Sequence, residues 1–227
     1  MESGRRVRPP ADLPVHLHKR LSISAEFVTS AAGAAGFPCD RTPEVAMVGR
    51  SNVGKSSLIN ALARQRVART SAAPGKTRLA NIYRVRRGSA PGFYVVDLPG
   101  YGYARGGAAA ARGFEALTAE YFMPGGRGGM RPAIAGTLLL VDARHPGLPA
   151  DLTARAWLET LGYAVHVVVT KVDKLTRAER VRALRACESA FQASVWPVSS
   201  VTGEGLDELW KLITRQLSAS GRRTTEP

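Results

Sequence analysis

Residues 44–62 read EVAMVGRSNVGKSSLINAL, and no other stretch limits the fold as tightly. Val45 to Val48 is a short apolar run of the kind that forms a buried strand. Gly49 to Ser56 fits the spacing G-x-x-x-x-G-K-[ST]. Leu58, Ile59, Ala61 and Leu62 follow as a helix. Strand, glycine loop and helix in that order are the context a phosphate-binding loop requires. Gly49 and Gly54 permit backbone turns that a Cβ would resist. Successive N–H groups then line a concavity suited to anionic oxygens, and the start of the helix adds its partial positive charge there. Lys55 is placed to reach β- and γ-phosphates. The Ser56 hydroxyl can join the shell of a Mg2+ ion, which prefers hard oxygen ligands.

The rest of the chain alternates in a way that agrees. Strands are expected over 81–86, 93–96, 137–141 and 164–169, with a further strand ending at Val198. Helices are expected over about 112–122, 150–161, 177–191 and 206–217. A short helix is read around Ala25-Glu26-Phe27-Val28, within residues 22–35. The strands over 81–86 and 93–96 are joined by so short a link that they should run antiparallel, with 81–86 at the sheet edge. Residues 64–79 read as a mobile loop, and 124–132 (PGGRGGMRP) as another. Strands alternating with helices mean a mostly parallel sheet covered on both faces, which binds ligands beyond the carboxyl ends of its strands. Trp157, Trp196 and Trp210 are expected in the core. The domain plan is a Pro- and Arg-rich, disordered extension over 1–20, one domain over 21–217 and a short tail over 218–227.

Charge narrows the partners. The chain of 227 residues has a net charge of +14 and a pI near 10.7. Residues 1–20 and 214–227 together supply +5, which leaves +9 on the middle. That balance favours a polyanion, nucleic acid before a membrane surface. No apolar run approaches the ~20 residues that span a bilayer. Arg5-Arg6 is followed by no apolar segment, so an export signal is not expected. The only cysteines, Cys39 and Cys187, lack metal-type spacing and read as ordinary thiols of a reducing cytosol. Only six basic residues are Lys against 26 Arg. Four of the six, Lys55, Lys76, Lys171 and Lys174, fall in candidate nucleotide motifs, where a compact ammonium is not replaceable by a guanidinium.

Three strand ends carry further chemistry. Asp97-Leu98-Pro99-Gly100 closes one strand: the acid can hold Mg2+ through a water opposite Ser56, and Gly100 can bring a backbone N–H to a γ-phosphate. Thr170-Lys171-Val172-Asp173 closes another and matches [NT]-K-x-D. The Asp173 carboxylate can accept from guanine N1–H and N2–H2. Adenine has an acceptor at N1 and lacks that amino group, which leaves the carboxylate unpaired, and an unpaired buried polar group costs about 1–3 kcal/mol. The stem of Lys171 can cover one face of the base. Val198-Ser199-Ser200, before Gly203-Glu204-Gly205, can present N–H groups to guanine O6. Thr77, in Pro74-Gly75-Lys76-Thr77-Arg78, is a candidate Mg2+ ligand from a loop ordered by the γ-phosphate, with Thr70 as its competitor.

Taken together, GRSNVGKSSLINAL, PGKTR, DLPGYGYA, VDARHP, TKVDK and VSS resemble the EngB/YihA/YsxC family of ribosome-biogenesis GTP-binding proteins, over about residues 22–217. The resemblance implies a Ras-like GTPase domain: a six-stranded, mostly parallel sheet with one antiparallel edge strand and helices on both faces. It implies GTP and GDP contacts from Gly49, Arg50, Ser51, Asn52, Val53, Gly54, Lys55 and Ser56. It adds Gly75, Lys76, Thr77, Arg78 and Leu79, then Asp97, Leu98, Pro99 and Gly100. Thr170, Lys171, Val172, Asp173, Val198, Ser199 and Ser200 complete the set. Ser56 and Thr77 are its Mg2+ ligands, with Asp97 behind them. It further implies assembly of the large ribosomal subunit in bacteria and a link to septation and cell division. The expected partners are the large ribosomal subunit or its precursor and rRNA, with no membrane partner, and a cytoplasmic monomer is expected.

Catalysis is expected from Lys55, Thr77 and Gly100, with Asn52 as a candidate K+ ligand. Where many GTPases place Gln after the D-x-x-G glycine, this chain has Tyr101, so intrinsic hydrolysis is expected to be slow. Tyr101, Tyr103, Arg105 and Arg112 are expected to face rRNA from a loop released on hydrolysis. His145 reads as a surface or structural residue. Two other readings stand beside this one: a basic RNA-binding module whose GTP site does not turn over, and another Era-like or tRNA-modification GTPase.

Overall fold

The structure is a computed structural model, and it describes residues 21–69, 79–101, 116–123 and 133–223. Thr70, Gly75, Lys76, Thr77, Arg78, Tyr103, Arg105, Arg112, the extension 1–20 and the loop 124–132 lie outside the described residues. The strands are β1 (Ile23–Ala31), β2 (Glu44–Gly49), β3 (Ala80–Arg87), β4 (Phe93–Asp97), β5 (Ile134–Asp142), β6 (Val165–Thr170) and β7 (Val195–Pro197). The helices are α1 (Lys55–Ala63), α2 (described over 116–122), α3 (Pro149–Thr160), α4 (Arg177–Phe191) and α5 (Leu206–Arg223). They form one sheet in the order β1-β3-β4-β2-β5-β6-β7.

Only β3 runs against the other strands; it pairs antiparallel with both β1 and β4, while all remaining pairs are parallel. The mostly parallel α/β architecture is as the sequence predicts, with two corrections. Among the described residues the sheet has seven strands rather than six, and the antiparallel strand is second from the edge. Both follow from residues 23–31, which form β1 and not a helix. Ile23, Ala25 and Phe27 fall on one side of a pleat, Ser24 and Glu26 on the other, and β3 offers a free edge to pair with. A bulge between Phe27 and Thr29 interrupts the alternation. The last helix also extends beyond Leu217, to Arg223.

Alternation along β2 divides the interior in two. Val45 and Met47 pack with Leu58, Ile59 and Leu62 of α1 and Leu209, Trp210 and Ile213 of α5. Ala46 and Val48 face Leu117, Tyr121 and Phe122 of α2, Leu158 of α3 and Cys187 and Phe191 of α4. Trp210 is buried, and Trp157 and Trp196 are partly buried against the two cores, as expected. Cys187 is buried and Cys39 exposed, and both are free thiols. The chain leaves β2 toward β4 on one side and toward β5 on the other. That reversal opens a crevice at the carboxyl end of β2, where folds of this kind take their ligands.

Candidate functional site

Gly49 closes β2 and Lys55 opens α1, so residues 49–54 carry the chain from the strand end into the helix. Gly54, the residue before α1, has φ +113°, which a side chain would resist. Asn52 also takes positive φ, 62°, a region that Asn tolerates better than most. Lys55 is buried and folds back over the loop, donating from Nζ to Gly49 O at 3.2 Å. Burial holds its ammonium below the ordinary lysine range, and the nearby Asp97 carboxylate works against that.

Asp97 ends β4 in register with Met47 of β2. Its Oδ2 accepts from Ser56 Oγ at 3.1 Å. Its Oδ1 is buried and has no hydrogen-bond partner among the described residues. Burial raises this carboxyl above the usual range, partly offset by Lys55 and the Ser56 hydroxyl. A hydroxyl and a carboxylate with an unused buried oxygen suit a hard divalent cation whose other ligands are phosphate oxygens and water. Among the described residues no group of three or more His, Cys, Asp or Glu could hold a metal ion.

Gly100 then passes so close to the phosphate loop that a Cβ there would lie 2.6 Å from Ser51 N. Ser51 Oγ donates to Gly100 O at 3.3 Å, and Ser51 N to Tyr101 O at 3.1 Å. Arg50 and Tyr101 form a parallel bridge. Tyr101 therefore does not face solvent, contrary to its expected role on an RNA-facing loop. It is 8% exposed, and its hydroxyl donates to Asp151 Oδ1 in the first turn of α3 at 2.8 Å. Arg50 Nε lies 3.3 Å from the same oxygen. Burial raises Asp151, and raises the Tyr101 hydroxyl far beyond the ordinary phenol range with Asp151 adding to the effect. Leu98 is buried in the core, and Leu79, past the undescribed loop, is 38% exposed.

The other end of the crevice is built from β5, β6 and the turn after β7. Thr170 Oγ1 donates within reach of Val53 O (2.7 Å) and Val141 O (3.1 Å), so it fastens β6 to the phosphate loop and β5. Lys171 takes φ +60°. Its Nζ donates to Asn52 O at 2.6 Å and to Asp142 Oδ2 at 2.9 Å, which lays the stem across the crevice. Burial alone would raise Asp142, but hydrogen bonds from Arg144 and Lys171 hold it well below the carboxylate range. Asp173 Oδ1 accepts from Ser199 Oγ at 2.7 Å, and that bond first of all keeps its carboxyl low. Ser199 is fully buried; its Oγ accepts from the N–H groups of Val201 (3.2 Å) and Thr202 (3.1 Å), which aims its proton at Asp173. Val198 N donates to Val169 O, so the Val198–Ser200 turn is tied to β6. His145 is exposed, as expected.

Two residues of this constellation escaped sequence reading. Asp142 closes β5 as Asp97 closes β4, and that shared position could have found it. Asp151 had no such signal, because an acid in the first turn of a helix ordinarily serves the helix itself.

The family described as 50S ribosome-binding GTPase matches residues 44–171. A relative from Solibacter usitatus named "Probable GTP-binding protein EngB" is 42% identical over 199 residues, covering 87% of this chain and 98% of its own. Another of the same name from Pelotomaculum thermopropionicum is 40% identical over 204 residues, covering 88% and 98%. Among solved structures, a probable GTP-binding protein engB shares 22% identity and a TM-score of 0.59, covering 78% of this chain and 99% of that one. Aquifex aeolicus Era bound to GDP and aluminium fluoride shares 23% and a TM-score of 0.63, covering 77% and 57%. At those identities the two structures speak for the fold alone.

Proposed function

The chain belongs to the EngB family of GTP-binding proteins and is a GTPase, and we propose that it works as a slow, Mg2+-dependent switch in assembly of the large ribosomal subunit. The observation that carries the nucleotide part is the bond from Ser199 to Asp173: an ionised acid with one oxygen fixed in place is what a guanine edge requires. At the other end, Ser56 and Asp97 would hold Mg2+, with Thr77 as the ligand expected from the undescribed loop. When bound, the ion spreads the charge that develops on the phosphate oxygens.

The chain's own residues supply the remaining work. The N–H groups of the 49–54 turn and the start of α1 orient the phosphates. Lys55 has its ammonium in a dry setting, where it acts on developing charge more strongly than in water. Gly100 lies where its N–H can meet the γ-phosphate. Slow intrinsic turnover follows from Tyr101, whose hydroxyl is committed to Asp151 and does not position a water. The exposed Asn52 carboxamide is the candidate K+ ligand; turnover in KCl above that in NaCl supports this, and equal rates contradict it.

The ribosomal role, with its expected effect on septation, rests on family membership and on the +14 charge, which favours rRNA. A monomer acting in the cytoplasm is part of the same proposal. No described helix is long and apolar enough to cross a membrane. Sedimentation of lysate with added protein tests the role: with a non-hydrolysable GTP analogue it should follow the large subunit or its precursor, and with GDP it should leave. Equal distribution in both states contradicts the switch.

A further inference from the structure

Between Glu44 and Asp97 the chain carries ten Lys or Arg and no Asp or Glu. Most of that charge has no part in the nucleotide site. The fold places it along the outer edge of the sheet formed by β1 and β3, with the arginines after α1 on the face that carries Phe27 and Tyr83 and those of β3 on the other face. Arg64, Arg66 and Arg69 follow α1 and are exposed. Arg84 and Arg86 are the exposed positions of β3. None of these five makes an ion pair with a described residue. β1 contributes a single charge, Glu26, which lies across from Arg84, on the side of the pleat away from Phe27.

The segment bearing the first three arginines is built rather than loose. Asn60 Oδ1 accepts from Val67 N (2.9 Å) and Ala68 N (2.8 Å), and its Nδ2 donates to Ala68 O (2.9 Å). The Gln65 amide donates to Ala25 O of β1. Ala68 is buried beneath. Beside this turn Phe27 is 52% exposed and meets Tyr83 edge-on, with centroids 5.9 Å apart, so one of its faces is open. Arg69 also acts electrostatically on the Tyr83 hydroxyl, which places it near the same rings.

We propose that this edge is an RNA-binding surface: Arg64, Arg66 and Arg69 take successive phosphates, and Phe27 stacks an unpaired base. Guanidinium groups match phosphate geometry in a way ammonium groups do not. A protruding aromatic ring among arginines is the combination used for single-stranded RNA. A strand added to β1 is disfavoured by the bulge at Phe27/Thr29, which turns the edge away from straight pairing. The inference rests on rRNA being the partner, and names where it is held.

The test uses the full chain and a fluorescein-labelled single-stranded RNA of mixed sequence, titrated at several KCl concentrations. Three variants are compared: Arg64→Ala with Arg66→Ala and Arg69→Ala, Phe27→Ala, and a control that removes Arg177, Arg182 and Arg185 on the exposed side of α4. GTP turnover, measured alongside, reports folding. Loss of three phosphate contacts should lower the slope of log affinity against log salt by about two. Phe27→Ala should weaken binding about tenfold and leave the slope alone. The α4 control should change neither. If the wild type binds and the triple variant binds equally well with the same slope, or the control loses as much, the edge is not the site and RNA is held elsewhere on the chain. If the wild type binds neither this RNA nor ribosomal precursors, the reading of rRNA as partner fails as well. If the triple variant loses only self-association in sedimentation, the edge meets a second copy and the proposal is overturned.

Discussion

The base end and the phosphate end of the crevice are completed by different things. At the base end the key polar groups already have partners in this chain: Ser199 on Asp173, Asp142 and Asn52 O on Lys171, Val53 O and Val141 O on Thr170. Its acids are held low, so they stay ionised. At the phosphate end charge is buried without full compensation. Asp97 is raised, Lys55 is lowered, and Asp97 Oδ1 has no described partner. On the proposed reading, a site pre-formed at one end would select its base without rearranging. A site strained at the other is relieved by whatever brings cation and phosphate. Recognition and switching can therefore be altered separately.

The largest effect that separates them should come from Lys55→Ala. It removes a buried charge from the phosphate end and leaves Asp97 without its counterion. Guanosine should still fit, while GDP and GTP affinity falls about a hundredfold. Titration of all three ligands checks this; an equal loss for guanosine would break the distinction between the ends.

Asp97→Asn should come next. The wild type should melt at higher temperature with GDP and Mg2+ than with GDP and a chelator, and the variant should lose that increment. Its nucleotide affinity in chelator should change little. Asp142→Ala acts on the base end instead: freed of one anchor, Lys171 should let GDP and GTP affinity fall together by about tenfold. A loss confined to GTP would place Asp142 on the phosphate side.

The smallest effect is Ser199→Ala, read through pH. The folded-state pKa of Asp173 is depressed, so its charged form persists above the ordinary carboxylate range and is lost only as pH falls below it. Wild-type affinity for GDP should thus be flat from pH 8 to 5, as far as Asp173 is concerned. Without the Ser199 bond the acid limb should move upward, with a loss of a few-fold at neutral pH. An unmoved limb would mean that the bond does not set the charge state.

Much of this site was legible in sequence because its residues follow strands. Gly49–Ser56, Asp97–Gly100 and Thr170–Asp173 each begin where an apolar run stops, and the sheet brings those points together. Ser199 was legible by the same rule as part of a turn facing the base, but the bond from its side chain to Asp173 was not. β1 was not legible, because an edge strand buries only part of one face and a bulge breaks its alternation. Tyr101 and Asp151 were not legible, because their contact joins a loop to the first turn of a helix 50 positions on and depends on how α3 packs.

The central claim is that one carboxylate, held by one serine, chooses the base. Equilibrium titration of Asp173→Asn with GTP and xanthosine triphosphate tests it most directly. The carboxamide offers a donor where xanthine has an acceptor, so GTP affinity should fall about a hundredfold while xanthosine triphosphate gains and becomes the better ligand. A variant that still prefers GTP would contradict the account.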